Sequence, residues 1–328
     1  MKSIILLFLI VFFAGGVFSQ ETLTVTVVSS AAGTGLTEIE YTFNGDDEVY
    51  NISAEVSFDN GGTFQPIPDV HLTGALTNVA PGGPYSLTWD GRASFPETFS
   101  DETIIKLEAT AVAFICGNNL TFTYRGSEVT YGSIERVGVC WFDRNLGADP
   151  MPFVPADDAT GNTDARLFGD LFQWGRGDDG HQVRDPLSPA TNTLSTTDQP
   201  GHGKFIRVFS EPGDWREERN DDLWQGVDGI NNPCPPGWRL PIAAELDAER
   251  VSWNAFGVVG AYASPLKWPV GGNRSTFGSL DNVGDYAGIW SSSIDDYLSE
   301  DLFIYPGGAI INDSYRVVGL SVRCVRDI

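Results

Sequence analysis

Between residues 20 and 113 the chain alternates apolar and polar positions. Leu23, Val25 and Val27 alternate with Thr24 and Thr26, and the same period of two runs through Ile39, Tyr41 and Phe43. It recurs at Ile52, Ala54, Val56 and Phe58, at Tyr85, Leu87 and Trp89, and at Ile105, Leu107 and Ala109. Successive side chains of a strand point to opposite faces, so this period predicts half-buried strands. Turn-forming clusters separate them at Asn44-Gly-Asp-Asp47, Asp59-Asn-Gly-Gly62 and Pro81-Gly-Gly-Pro84. Several short strands at this spacing predict an all-β sandwich.

From residue 114 to 328 the periodicity fades. The stretch is rich in Gly, Trp, Asn and Asp, and it is long enough to hold a core of its own. One helix is predicted from Ala243 to about Phe256. Pro241 suits its start, Glu245 and Asp247 suit its positive end, and Leu246, Trp253 and Phe256 would share a buried face with the stem of Arg250. A second, short helical piece is predicted over Asp164 to Trp174. Thr121–Tyr124 with Val129–Ile134 reads as a hairpin, Gly177–Gly203 as a long polar loop, and Val317–Val325 as the last strand.

The amino terminus changes the picture. Lys2 precedes an apolar run from Ile4 to Phe13, and small residues follow up to Ser19. This pattern predicts a secretory signal peptide, residues 1–19, cleaved after Ser19 or Gln20. The run is shorter than the roughly 20 residues of a spanning helix, so no integral membrane span is expected after cleavage. No cysteine follows it to carry a lipid. The expected location is secreted, cell-surface or periplasmic. The formal charge of −24 lacks the clustered Lys and Arg that nucleic acid requires. It suits a soluble acidic protein and makes Ca²⁺ a plausible companion, because hard cations select carboxylate oxygens. The four cysteines of an exported chain favour disulfides. Three pairings exist; we favour Cys116–Cys140, which brackets the hairpin, and Cys234–Cys324, which ties the start of a core module to its last strand.

Five signatures then follow in order: Cys140-Trp-Phe-Asp-Arg-Asn-Leu-Gly-Ala148, Leu171-Phe-Gln-Trp-Gly-Arg-Gly-Asp-Asp-Gly-His181, Asn232-Pro-Cys-Pro-Pro-Gly-Trp-Arg-Leu-Pro241, Trp290-Ser-Ser-Ser293 and Gly319-Leu-Ser-Val-Arg-Cys-Val325. Together they resemble the Fibrobacter succinogenes major paralogous domain family, over most of residues 116 to 328. That family is similar to the C-type-lectin-like superfamily, to which formylglycine-generating enzymes also belong. The resemblance implies an α+β fold with few helices, short twisted strands and long functional loops, in which a small sheet joins the two ends of the domain. It also implies that Cys234 and Cys324 lie on adjoining strands and that Trp238, Leu240, Trp290 and Val322 are core. Ser57–Gly62 with Trp89-Asp90 resembles small β-sandwich modules of bacterial surface proteins. The expected organisation is therefore a signal peptide (1–19), an immunoglobulin-like β-sandwich (20–113) and a C-type-lectin-like domain (114–328).

Candidate chemistry concentrates in one Gly-rich loop, where Trp174, Arg176, Asp178, Asp179 and His181 stand close in sequence. An aromatic face beside planar polar groups suits a sugar, and Asp178 and Asp179 suit calcium, although their spacing is not that of an EF-hand. Asn220–Trp224 reads as a loop packing Trp224 on the core, and Asp157, Asp158, Asn162 and Asp164 as an exposed acidic cluster. Asp143 and Arg144 read as a structural pair, and Gly147, Gly175, Gly237 and Gly319 as positions of unusual torsion or close approach. The usual calcium-lectin tripeptides are absent: Gln199-Pro200 runs into Gly201, and Glu211-Pro212 into Gly213. No catalytic residue is assigned. His71, His181 and His202 are scattered, no serine-hydrolase or metalloprotease motif occurs, and a cysteine oxidase of the related fold needs two reactive cysteines near its end, where this chain has only Cys324. The expectation is a non-enzymatic recognition or display protein for carbohydrate or an envelope or host surface. A structural subunit of an extracellular fibre is the alternative, and a formylglycine-type oxidase a more remote one.

Overall fold

The computed structural model describes residues 22–30, 33–45, 48–96, 98, 100, 102–150, 164–185 and 187–327. The expected signal segment and Asp157, Asp158 and Asn162 of the expected exposed cluster lie outside the described residues. The chain is mostly β-structure with few helices, and it divides into two compact units, Met1–Thr130 and Tyr131–Ile328.

In the first unit, β1 (Thr22–Ser30), β2 (Leu36–Asn44), β3 (Val49–Ser57), β4 (Gln65–Pro66), β5 (Leu72–Gly74), β6 (Gly82–Asp90) and β7 (Ile104–Val112) build two antiparallel sheets, ordered β1-β2-β6-β5 and β4-β3-β7. The alternating residues form the core. Leu23, Val25, Ile39, Tyr41, Phe43, Ile52, Ala54, Val56, Leu87, Trp89 and Leu107 lie in one buried cluster drawn from both sheets. Val27 departs from the pattern and is 44% exposed, because a register shift between Val25 and Val27 turns the strand. The Asp59 turn is fastened by its carboxylate, which accepts from the Ser57 hydroxyl at 2.7 Å and the Thr63 amide at 2.8 Å. A short helix, α1 (Gly91–Ser94), is capped by Asp90, which accepts from the Ala93 amide at 3.0 Å.

The division falls at Thr130, later than residue 113, because the next strands bond back onto the first unit. β8 (Leu120–Tyr124) and β9 (Ser127–Tyr131) form a two-stranded sheet. Ala80 N donates to Thr121 O at 2.7 Å, Thr121 N to Asn78 O at 2.9 Å, and Gly83 N to the Thr123 hydroxyl at 2.9 Å.

The second unit carries β10 (Ser133–Arg136), β11 (Val139–Phe142), β12 (Phe172–Gln173), β13 (Ala190–Thr191), β14 (Phe205–Ile206), β15 (Asn273–Arg274), β16 (Leu280–Asp281), β17 (Ala287–Asp295), β18 (Leu298–Tyr305), β19 (Gly308–Ser314), β20 (Gly319–Leu320) and β21 (Val325–Asp327). β17-β18-β19 is its longest-stranded sheet, and β11 pairs with β10 on one side and β21 on the other, so strands from the two ends of the unit lie side by side. Helices α2 (Ala243–Val251) and α3 (Gly257–Ala263) pack on the long sheet. Leu246, Ala261, Ile289, Leu302 and Ile304 meet Trp141, Trp268 and Val325 in the core between them. Glu245 starts α2: it accepts from the Ile242 amide at 2.8 Å and from both terminal nitrogens of Arg239.

Several expectations change here. Helix α2 stops at Val251, and Phe256, expected on its buried face, is 90% exposed at the start of α3. Asp164–Trp174 holds only a 3₁₀ turn, Ala165–Leu167, before the chain extends into β12. The last strand is split into β20 and β21. Cys234 and Cys324 are joined, but from a bend and from the residue before β21 rather than from adjoining strands. Cys116 and Cys140 are also disulfide-bonded, and no cysteine is free. Trp238, Leu240, Trp290 and Val322 are fully buried. Gly147 illustrates the glycines: its φ is +83°, and a Cβ would stand 2.6 Å from the Asp170 carboxyl.

Candidate functional site

The Gly-rich loop leaves β12 at Gln173 and returns at His181. Three of its five candidate residues, Trp174, Arg176 and His181, are completely buried, Asp179 is half-buried and only Asp178 is exposed. The Trp174 indole donates to Ser291 O at 3.0 Å, and its ring lies between Trp224 and the guanidinium of Arg316, 5.5 Å and 4.4 Å from their centres. It therefore offers no face to a ligand.

Arg176 is the hub. Its Nε donates to Asp179 Oδ2 at 3.1 Å, its Nη1 to Gln173 Oε1 at 2.8 Å and to Lys204 O at 3.0 Å, and its Nη2 to His202 O at 3.0 Å. Gln173 completes the tie, donating through Nε2 to Ile206 O and Val317 O, both at 2.8 Å, while its Oε1 accepts from Ile206 N at 3.1 Å. Three chain segments distant in sequence are thus joined by two side chains.

His181 has its tautomer fixed from both sides. Gln173 N donates to Nε2 at 3.0 Å, so the proton sits on Nδ1 and points to Asp179 Oδ1 at 2.6 Å. Burial, reinforced by the Arg176 charge, pushes the imidazole down to about 4 against the pull of Asp179, so the ring is neutral at neutral pH. Burial pushes the Asp179 carboxyl up, but bonds and charge from His181 and Arg176 outweigh it and hold the group at about 2. Both Asp179 oxygens are committed, and Asp178 accepts from Gln182 Nε2. Among the described residues no three His, Cys, Asp or Glu side chains gather as metal donors.

The neighbouring loops use the same device. Trp215 donates to Trp174 O at 2.7 Å, Trp224 to Asn231 O at 3.0 Å and Trp290 to Phe172 O at 2.7 Å. Arg144 stacks on Tyr131 at 3.7 Å and pairs with Asp143 at 2.9 Å. Arg323, buried before Cys324, stacks on Trp268 at 4.1 Å and donates to Asn145 Oδ1 at 3.0 Å. Trp224 is buried, as expected for the Asn220–Trp224 loop.

The surface holds a feature that sequence reasoning passed over. Phe209 and Phe277 touch, with ring centres 5.5 Å apart, yet are 59% and 65% exposed. Arg207, two residues before Phe209, donates through Nε to Asn192 Oδ1 at 3.0 Å. The available signal was an aromatic at the tip of a polar turn, Ser275-Thr-Phe-Gly-Ser279, where no core demands one. Among the described residues no helix is long and apolar enough to cross a membrane. Compared with family models, with curated proteins and with solved structures, the chain matches none.

Proposed function

We propose that the protein is a secreted or cell-surface recognition protein without enzymatic activity. In this reading the first unit is an immunoglobulin-like stalk and the second a C-type-lectin-like head that presents rigid loops to a carbohydrate or to an envelope or host surface. The observation that carries it is the buried tie of Gln173, Trp174, Arg176, Asp179 and His181. It ties the irregular loop 173–181 to His202, Lys204, Ile206 and Trp215 with almost no regular structure. A loop ordered before its ligand arrives loses little entropy on binding, and recognition loops are disproportionately carried on rigid scaffolds of this kind. The pairing of β11 with β21, which brings strands from both ends of the second unit together, supports the lectin-like assignment. The disulfide at Cys324 supports the non-enzymatic reading, because a sulfur so engaged is not a nucleophile.

A second reading, a fibre subunit, has one observation behind it: Thr26–Ser30 of the edge strand β1 is exposed on both faces. The two are separated by binding to a glycan array and to an envelope fraction, with and without calcium, alongside light scattering over a range of protein concentration. Saturable binding by a monodisperse protein is expected. Concentration-dependent assembly with no binding on either surface sinks the recognition reading in favour of the fibre.

A further inference from the structure

We infer that Arg207, Asn192, Phe209 and Phe277 form a binding site for a carboxylate-bearing sugar residue, of the uronic-acid kind, within a polysaccharide chain. The inference rests on the recognition reading above and names its site and ligand class.

Two phenylalanines separated widely in sequence come together with their rings in contact, and both stay more than half exposed. Burying such rings is favourable, so a paired aromatic surface left open marks a contact site. The turn that carries Phe277 also seats the arginine. At Gly278, φ is +86° and a Cβ would stand 3.3 Å from Arg207 Cδ, so the stem of Arg207 lies along the turn beside Phe277. Asn192 holds the guanidinium through Nε, and among the described residues the two terminal nitrogens are left for an outside acceptor.

Charge selects the ligand. The chain carries 44 acidic residues against 20 Lys and Arg, and at the surface of the second unit Arg136, Arg166, Arg216, Arg219, Arg239 and Arg250 each hold a carboxylate within 4.0 Å. Among the described residues the Arg207 guanidinium holds none, and its side-chain polar contact is with the neutral Asn192. A guanidinium kept clear of carboxylates in so acidic a protein is complementary to a carboxylate from elsewhere, which its two terminal N–H groups can grip side by side. The adjoining rings supply an apolar surface for the C–H face of a pyranose, and the Asn192 amide supplies hydrogen bonds to its hydroxyls. A neutral glycan would leave the guanidinium unused, and an acidic peptide would leave the aromatic surface without a flat partner.

The test uses the full chain purified after export, with defined oligogalacturonates, the same oligosaccharides fully methyl-esterified, and polyglutamate as an acidic polymer without a sugar. The wild type should bind the free acid at least tenfold more tightly than the ester and show little affinity for polyglutamate. Arg207→Gln should remove the preference for acid over ester, while Phe209→Ala and Phe277→Ala should each weaken both oligosaccharides about tenfold. Phe256→Ala, at an exposed position outside the site, should bind like the wild type, and melting curves should superimpose because every altered side chain lies at the surface. Equal binding of acid and ester by the wild type, wild-type affinity in Arg207→Gln or Phe277→Ala, or equal capture of polyglutamate would each overturn the site. If envelope binding persists while these variants behave as wild type, the site falls and the recognition reading stands; if neither oligosaccharides nor envelope bind, both fall.

Discussion

Arginines in the second unit are placed on aromatic rings rather than simply on carboxylates. Arg144 lies over Tyr131, Arg176 over Trp215, Arg184 over Phe168, Arg274 over Phe205, Arg316 over Trp174 and Arg323 over Trp268. A planar, weakly hydrated guanidinium can stack face to face on a ring while its edge donors still reach carbonyls; a compact, strongly hydrated lysine ammonium has no flat face to stack. Arg323 is the extreme case. Burial pushes it down to about 9, and its hydrogen bonds go to Asn145 Oδ1 and Leu266 O. Arg323→Lys should therefore cost about 3 kcal/mol although it keeps the charge, because a buried ammonium loses both the stack and the fork. Urea unfolding followed by tryptophan fluorescence reads this directly, since eight of the nine tryptophans lie in the second unit. An unchanged midpoint would refute the stacking argument. These roles were only half legible in the sequence. Trp174, Arg176 and His181 stood out as a group, but a loop has no period that separates inward from outward side chains. An aromatic, a guanidinium and an imidazole therefore read the same whether they greet a ligand or close a core.

Regular elements were legible where their period was regular. The alternation through β2, β3 and β6 named the core of the first unit residue by residue, and it failed at Val27 because a bulge carries no compositional mark. The signals at Pro241 and Glu245 located α2, whereas α3 was missed: Gly257-Val-Val-Gly-Ala-Tyr-Ala263 is short and carries two glycines, which are poor helix formers. What fastens α2 is its entry. Arg239, five residues after the Cys234 bend, forks onto Glu245, reaches Asp327 of β21, and bridges to Val325 through its backbone at 2.8 and 2.9 Å. The Cys234–Cys324 bond closes 90 residues at this junction. On loop-closure entropy, Cys234→Ser with Cys324→Ser should cost about 4–5 kcal/mol. The check is a denaturant midpoint measured with and without reductant: reduction should bring wild type and double variant to one common midpoint, the double variant falling less because it loses only the bond at Cys116 and Cys140. A double variant as stable as the oxidised wild type would show that the non-covalent junction suffices.

Over the whole second unit, two buried titrating groups act against each other. His181 is held near 4 in the folded chain, below its ordinary value of 6.5, so its contribution is complete above 6.5 and is lost as pH falls towards 4. Asp301, buried behind Asn312 on β18, is raised by burial to about 7 from 3.8. Its folded form favours the proton, so stability falls as pH rises from 3.8 to 7. Each slope is worth about 3–4 kcal/mol across its window. Between pH 4.5 and 6.5 they oppose, and the wild type should show a nearly flat unfolding midpoint. His181→Gln should expose the decline with rising pH, and Asp301→Asn the rise. A steep wild-type profile that neither substitution alters would place the titration elsewhere.

The indoles that stitch the loops together share one property. Those of Trp141, Trp174, Trp215, Trp224 and Trp290 all donate to main-chain carbonyls, at Arg136, Ser291, Trp174, Asn231 and Phe172. A main-chain oxygen is supplied by any amino acid, so the stitching places no demand on the identity of the residues it fastens. Outward-facing positions of these loops are therefore free to mutate over an unchanged scaffold, which under the proposed recognition role would let specificity drift at the surface alone.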